Sequence, residues 1–234
     1  MTSVTAPTEG DGETPVRDAA CLILVDRSLG EPRFLLGRRL ATQVFLPNKW
    51  VFPGGRVDDD DRTLAARLAG TSAPPGADLE RLPFPLAASR ELLEETGIVF
   101  GVTQAPRFAI PSSWQAFAGH GQMPAYERLS PLARAITPPG FPRRFDTWFF
   151  LADYDPAVAP SGEPDGELLD IGWFPLAAVR GLDLPYITRL IVDDAATALN
   201  LSAVPERPLI PFYFQDNDGY RRTLVDGNRS FLTP

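Results

Sequence analysis

The segment from Pro85 to Gly97 constrains this 234-residue chain more than any other. Proline lacks an N–H that a helix cannot use in its first turn, and glycine accepts the left-handed conformation that ends a helix. The pair therefore brackets a helix over Leu86 to Thr96. At about 100° per residue, Glu91, Glu94 and Glu95 share one face, while Leu86, Leu92 and Leu93 lie on the other. Such a helix docks its apolar side on a sheet and turns three carboxylates toward one small volume, with Ala87 and Ala88 leaving space beside them. Clustered carboxylates repel unless cations sit among them, and oxygen ligands suit hard ions, Mg2+ or Mn2+. An isolated pair of glutamates is ordinarily a solvated face. Here the helix follows Phe52-Pro53-Gly54-Gly55, a breaker whose glycines let bare backbone approach a cation or a phosphate.

The rest of the chain supplies a sheet for that helix. Ala19 to Asp26 and Arg33 to Arg38 read as strands joined by a turn at Gly30 to Pro32, and Trp50 to Phe52 as a third. Asp58 to Pro85 is irregular, with an acidic run, a helical stretch at Leu64 to Leu68 and a Pro/Gly-rich piece at Ala73 to Gly76. Pro106 to Pro139 reads as short helices and loops, Phe145 to Asp153 and Leu168 to Phe174 as strands, and Pro185 to Asn200 as a helix. Leu209 to Phe214 and Tyr220 to Val225 form a hairpin about the turn Asp216 to Gly219. Interspersed helices and strands predict one mixed α/β domain over residues 16–234, preceded by a disordered tail over 1–15.

Composition narrows the partners. Hydrophobic residues make up 44% and charged residues 22%, enough apolar content for a core. A net charge of -8 argues against the basic surface that nucleic acid or an anionic membrane requires, but not against a phosphorylated small molecule held through cations. One cysteine, Cys21, in an apolar strand is expected to be a buried thiol, and no apolar run has signal-peptide or membrane-spanning length. The expectation from these features is a cytoplasmic protein.

Arg90-Glu91-Leu92-Leu93-Glu94-Glu95-Thr96-Gly97-Ile98 resembles the second half of the Nudix box, and every specified position matches. Gly55 and Asp61 resemble the first half, with Asp61 where the family has glutamate. The 28 residues from Arg62 to Ser89 stand where the family has a much shorter spacer. A box split here, with Phe52 to Val57 before it and Arg143-Arg144-Phe145-Asp146-Thr147 and Phe149-Phe150 after it, is similar to the branch of coenzyme A hydrolases.

The resemblance implies an α/β/α sandwich around a mixed sheet, with an insertion at about 62–85 inside the box. It implies that Glu91, Glu94 and Glu95 bind Mg2+ or Mn2+ with the Gly55 carbonyl, that Arg90 orients the carboxylates, and that Asp61 supports the loop. A water made acidic by the cations then attacks phosphorus in a nucleoside-diphosphate-linked compound, with coenzyme A or acyl-coenzyme A as candidates. A further base or ligand is expected between Glu163 and Trp173, with Glu167 favoured over Glu163. Leu35-Leu36-Gly37-Arg38-Arg39 resembles the segment preceding the box in coenzyme A hydrolases, which puts Arg39 on substrate, while Val44 and Asn48 depart from that pattern. Arg143 and Arg144 are the other candidates for substrate phosphates.

His120, the sole histidine, is expected to be an ordinary loop residue, and Trp50, Trp148 and Trp173 to be core. A homodimer is common in the superfamily. The competing class is a module of the same fold that senses a nucleotide without cleaving it, and the intact Glu91, Glu94 and Glu95 favour catalysis.

Overall fold

Strand β1 (Val16–Asp26) is apolar on both faces, and this decides the architecture. Ala20, Leu22 and Leu24 belong to one core cluster, Ile23 and Val25 to a second, as the two-residue period of a strand dictates. Leu22, Ile23, Leu24 and Val25 are fully buried. Each contributes roughly 1.5–3 kcal/mol relative to exposure. A strand buried on both sides needs a layer of helices on each.

The computed structural model describes residues 14–72, 80–155, 162–200, 209–216 and 218–227. The expected disordered tail falls almost wholly outside them, as does the Pro/Gly-rich piece Ala73 to Gly76. After β1 the chain forms β2 (Arg33–Arg39), β3 (Trp50–Val51), β4 (Gly54–Arg56), helix α1 (Asp59–Ser72) and helix α2 (Pro83–Thr96). Next come β5 (Gly101–Thr103), α3 (Gln115–Gly119), β6 (Gln122–Pro124), β7 (Ser130–Ile136), β8 (Arg144–Asp153) and β9 (Leu168–Pro175). The last elements are α4 (Leu176–Gly181), α5 (Tyr186–Leu199), β10 (Leu209–Asp216) and β11 (Gly219–Asp226).

Nine of these strands form one sheet, ordered β11-β10-β7-β8-β1-β2-β3, with β4 on β1 and β9 on β2. The sheet is mixed: β1 runs parallel to β8 and β10 parallel to β7, while the other pairs are antiparallel. Residues of α1 and α2 fill the first core cluster, and those of α4 and α5 the second. The expected α/β/α sandwich is what the chain builds. No helix among the described residues is long and apolar enough to cross a membrane.

One irregularity positions the site. The C-terminal end of β1 pairs with β2 (Val25 with Phe34, Asp26 with Arg33), whereas its first half pairs with β4 (Ala20 with Gly55, Cys21 with Gly54). On its way to β4 the chain also lines β2 through β3, so residues 50–56 wedge between two strands that part company. Gly54 is obligatory there, because a side chain would bring its Cβ within 2.4 Å of the Ala20 carbonyl oxygen and 2.6 Å of the Cys21 Sγ.

Several boundaries differ from those expected. Helix α2 begins at Pro83, not Leu86: prolines at 83 and 85 both fall in the first turn, whose N–H groups have no partner inside the helix. Gly54 and Gly55 form strand β4 instead of ending the strand before them, since β1 supplies a pairing edge. The acidic run continues into α1, because aspartates in a first turn complement the helix dipole. The stretch read as short helices and loops contains strand β7, flanked by β8 and β10. Cys21 is partly buried, packed against the second cluster with its Sγ in the space that a side chain at Gly54 would need. Trp148 is core as expected, while Trp50 and Trp173 pack partly buried against the two clusters.

Candidate active site

The glutamate-bearing face of α2 is not a solvated one. Arg90 is only 3% exposed and Glu95 only 2%. Ala87 and Ala88 are fully buried in the core, not beside an open space as their helical position suggests. The helix ends as expected at Gly97, which is left-handed (φ 73°) and donates its N–H to the Leu93 carbonyl at 2.8 Å.

Arg90 is the hub. Its Nε donates to Asp61 Oδ1 (3.0 Å) and its Nη2 to Asp61 Oδ2 (2.8 Å) and to the Arg56 carbonyl (2.9 Å). Its Nη1 donates to Glu91 Oε1 (3.0 Å) and, one turn on, to Glu94 Oε2 (2.7 Å). Burial works against the charge on Arg90, but Asp61, Glu91 and Glu94 hold the proton more firmly than usual. Asp61 is 0% exposed and also accepts Trp114 Nε1–H at 3.0 Å and Asp58 N–H at 2.9 Å. The Asp58 contact is the acid-to-backbone half of a capping box, which α1 makes from its first turn. The start of α1 thereby carries the short aspartate to Arg90. Trp114 was not singled out in the sequence, because its link to the box runs through a buried indole from a distant loop.

Glu95 faces the wedge, its Oε2 accepting the N–H of Gly54 at 2.8 Å. Glu91 lies against Gly55, where any Cβ would come within 2.5 Å of the Glu91 carboxylate. Among the described residues no three His, Cys, Asp or Glu side chains are drawn together as a metal cage. The expected convergence of three carboxylates is therefore divided: Arg90 bridges Glu91 and Glu94, while Glu95 turns to Gly54.

The electrostatics nevertheless fit a hard divalent cation. Burial pushes the Glu91 carboxyl up to about 8; Arg90 pulls it back, while Glu94 and Asp61 add to the rise. Burial, and then the charge of Glu91, holds Glu95 well above the ordinary carboxylate range, only partly offset by Gly54 N–H and Arg39. Glu94 is raised by burial against the pull of Arg90. Carboxylates that stay raised even with Arg90 bonded to two of them call for further positive charge, and their oxygens together with the bare backbone of Gly54-Gly55 suit a hard divalent cation such as Mg2+ or Mn2+. Burial, with Glu95 and Glu91 adding to it, also keeps the neighbouring Cys21 thiol protonated.

The other expected site residues divide. Arg39, at the end of β2, acts electrostatically on Glu95 and donates its Nε to the Phe45 carbonyl at 3.0 Å. Arg143 is exposed in the β7–β8 loop, whereas Arg144 is buried and gives its Nε to the Thr137 carbonyl at 3.1 Å. Glu167 points to Gln43, whose Nε2 lies 3.4 Å from Glu167 Oε2. Asp165, two residues earlier, donates its N–H to the Glu94 carbonyl at 2.8 Å, and its charge raises both Glu94 and Glu95. Nothing in the sequence sets this aspartate apart from Glu163 and Glu167 of the same loop.

No family model matches the chain. It is 31% identical over 164 residues to a Caenorhabditis elegans protein described as "Putative nudix hydrolase 7", an alignment covering 61% of this chain and 46% of that one. The chain thus spans less than half the length of this curated relative. Among solved structures, a Nudix hydrolase from Alicyclobacillus acidocaldarius superposes with a TM-score of 0.60 at 25% identity, covering 82% of this chain and 99% of that one. The mixed α/β fold is the one Nudix hydrolases have.

Proposed function

We propose that this chain is a catalytically active Nudix hydrolase, which cleaves with water the diphosphate bond of a nucleoside-diphosphate-linked compound. The observation that carries this reading is the pairing of two carboxylates, the half-buried Glu91 and the buried Glu95, with the glycine wedge Gly54-Gly55. A sensing module has no chemical need for buried acids at the cost of their hydration, whereas a phosphoryl-transfer site does.

In this reading Glu91, Glu95, Glu94 and the Gly55 carbonyl hold Mg2+ or Mn2+. When bound, such an ion offsets diphosphate charge and makes a water acidic enough to attack phosphorus. Arg90 keeps Glu91 and Glu94 in fixed rotamers, and Asp61 keeps Arg90 in place. Asp165, whose backbone N–H is anchored to Glu94 and whose carboxylate accepts the Glu167 N–H at 2.8 Å, is the first candidate in its loop to take the proton of the attacking water, with Glu167 the second; the charge that Asp165 exerts on Glu94 and Glu95 supports this order. Arg39 and the exposed Arg143 receive substrate phosphates, and Arg144 is left to the β7–β8 turn. Coenzyme A and its acyl derivatives are the first substrates to try, since the split box and Arg39 resemble that branch.

The test is a hydrolysis screen over coenzyme A, dephospho-coenzyme A, ADP-ribose and dinucleoside polyphosphates with Mg2+, run in 18O-labelled water and read by product mass. Cleavage of coenzyme A to 4'-phosphopantetheine and 3',5'-ADP supports the finer assignment. Cleavage of other diphosphates alone leaves the general one, and no cleavage of any overturns the reading.

A further inference from the structure

Two loops bring aromatic rings together, and one of them is bonded through its backbone to Arg39. The loop over residues 40–49 carries Phe45, whose carbonyl accepts Arg39 Nε at 3.0 Å. Arg39 also donates its backbone N–H to Lys49 at 2.9 Å, so both halves of the loop are tied to the residue that acts on Glu95. Within the loop Leu46 (φ 52°) and Asn48 (φ 60°) are left-handed without being glycine, a conformation that persists only where the surroundings impose it. The ring of Phe45 meets Phe145 of β8 edge-on, with centroids 5.3 Å apart, and Phe141 of the β7–β8 loop at 6.3 Å. Phe145 supports this pair from the sheet, while Phe141 is 41% exposed.

We infer that Phe45 and Phe141 form a shelf for the nucleobase of the substrate, placed so that the phosphates attached to that base reach Arg39 and the acidic face of α2. This rests on the proposed function and deepens it, since it makes the base a source of affinity separate from the diphosphate. A lone exposed phenylalanine is common on a protein surface. Two rings from different loops, set edge-to-face, one of them on a residue whose backbone carbonyl accepts the Arg39 guanidinium beside Glu95, are a built surface. Planar bases stack on aromatic rings whatever their sequence identity, and the ring faces favour a flat π system over a flexible chain.

The experiment compares binding of ADP and inorganic pyrophosphate to the full chain in Ca2+, by calorimetry. The wild type should bind ADP at least about tenfold more tightly than pyrophosphate, the increment that one stacked base provides. Phe141→Ala should lose that increment, and Phe141→Trp should keep it. Isopentenyl diphosphate, an alkyl analogue, should bind no better than pyrophosphate in any of the three. If Phe141→Ala keeps the ADP increment, or if the alkyl compound shares it, the shelf is not a base site. A wild type that binds pyrophosphate but prefers it to ADP overturns the shelf and leaves the hydrolase reading standing. Binding of neither compound overturns both.

Discussion

Asp61 and Arg90, on two different helices, are joined by two hydrogen bonds in a fully buried pair, and Arg90 passes that constraint to Glu91 and Glu94. The pair connects the start of the segment that interrupts the box to the half of the box that carries the glutamates. Breaking a buried pair by removing one charge costs about 3–5 kcal/mol, because the survivor stays desolvated. Asp61→Asn should therefore lower the unfolding free energy by about 3 kcal/mol at neutral pH, as read by urea denaturation, whereas Asp59→Asn at the exposed start of α1 should change it by less than about 0.5 kcal/mol. Equal effects would mean that the pair holds nothing.

How much of this was legible in the sequence depends on where the determining contact lies. Helix α2 could be read because proline, glycine and the glutamate spacing are local signals. Strand β7, Ser-Pro-Leu-Ala-Arg-Ala-Ile, could not, since its strand state comes from β8 on one side and β10 on the other while Pro131 argues locally against it. In the candidate site, the shared face of the three glutamates was legible from helical spacing, and Arg90 from the resemblance to the Nudix box. Trp114 and Asp165 were not, because one acts through a buried indole N–H and the other through a backbone N–H, and neither leaves a pattern in the sequence.

The raised Glu91 carboxyl gives a signed pH dependence. Its folded value is about 8 against an ordinary 4.5, so between those limits the metal-free folded chain binds more protons than the unfolded one. That contribution to stability is fully present below the unfolded value and is lost as pH rises through the folded one. With a chelator present, the melting temperature should fall from pH 5 to pH 8 more steeply in the wild type than in Glu91→Gln, and saturating Mg2+ should raise it more at pH 8 than at pH 6. Parallel curves for the two proteins would remove Glu91 as the source.

The acids of the loop after β8 separate by kinetics. Asp165→Asn should lower kcat by about a hundredfold, the usual minimum for a general base, with KM little changed. Glu167→Gln should cost less than about tenfold, since its side chain is turned to Gln43. The reverse ranking would return the role to Glu167.

The central claim is that buried carboxylates on α2 make this fold a cation-dependent phosphohydrolase, and Glu95 tests it most directly. The measurement is the initial rate of diphosphate hydrolysis by wild type and Glu95→Gln, each with Mg2+ and after stringent chelation, in samples whose folding is verified by circular dichroism. The account predicts that the wild-type rate requires the added ion and that Glu95→Gln loses at least about a hundredfold in kcat while remaining folded. A wild-type rate that survives chelation, or a Glu95→Gln variant that turns over normally, would contradict it.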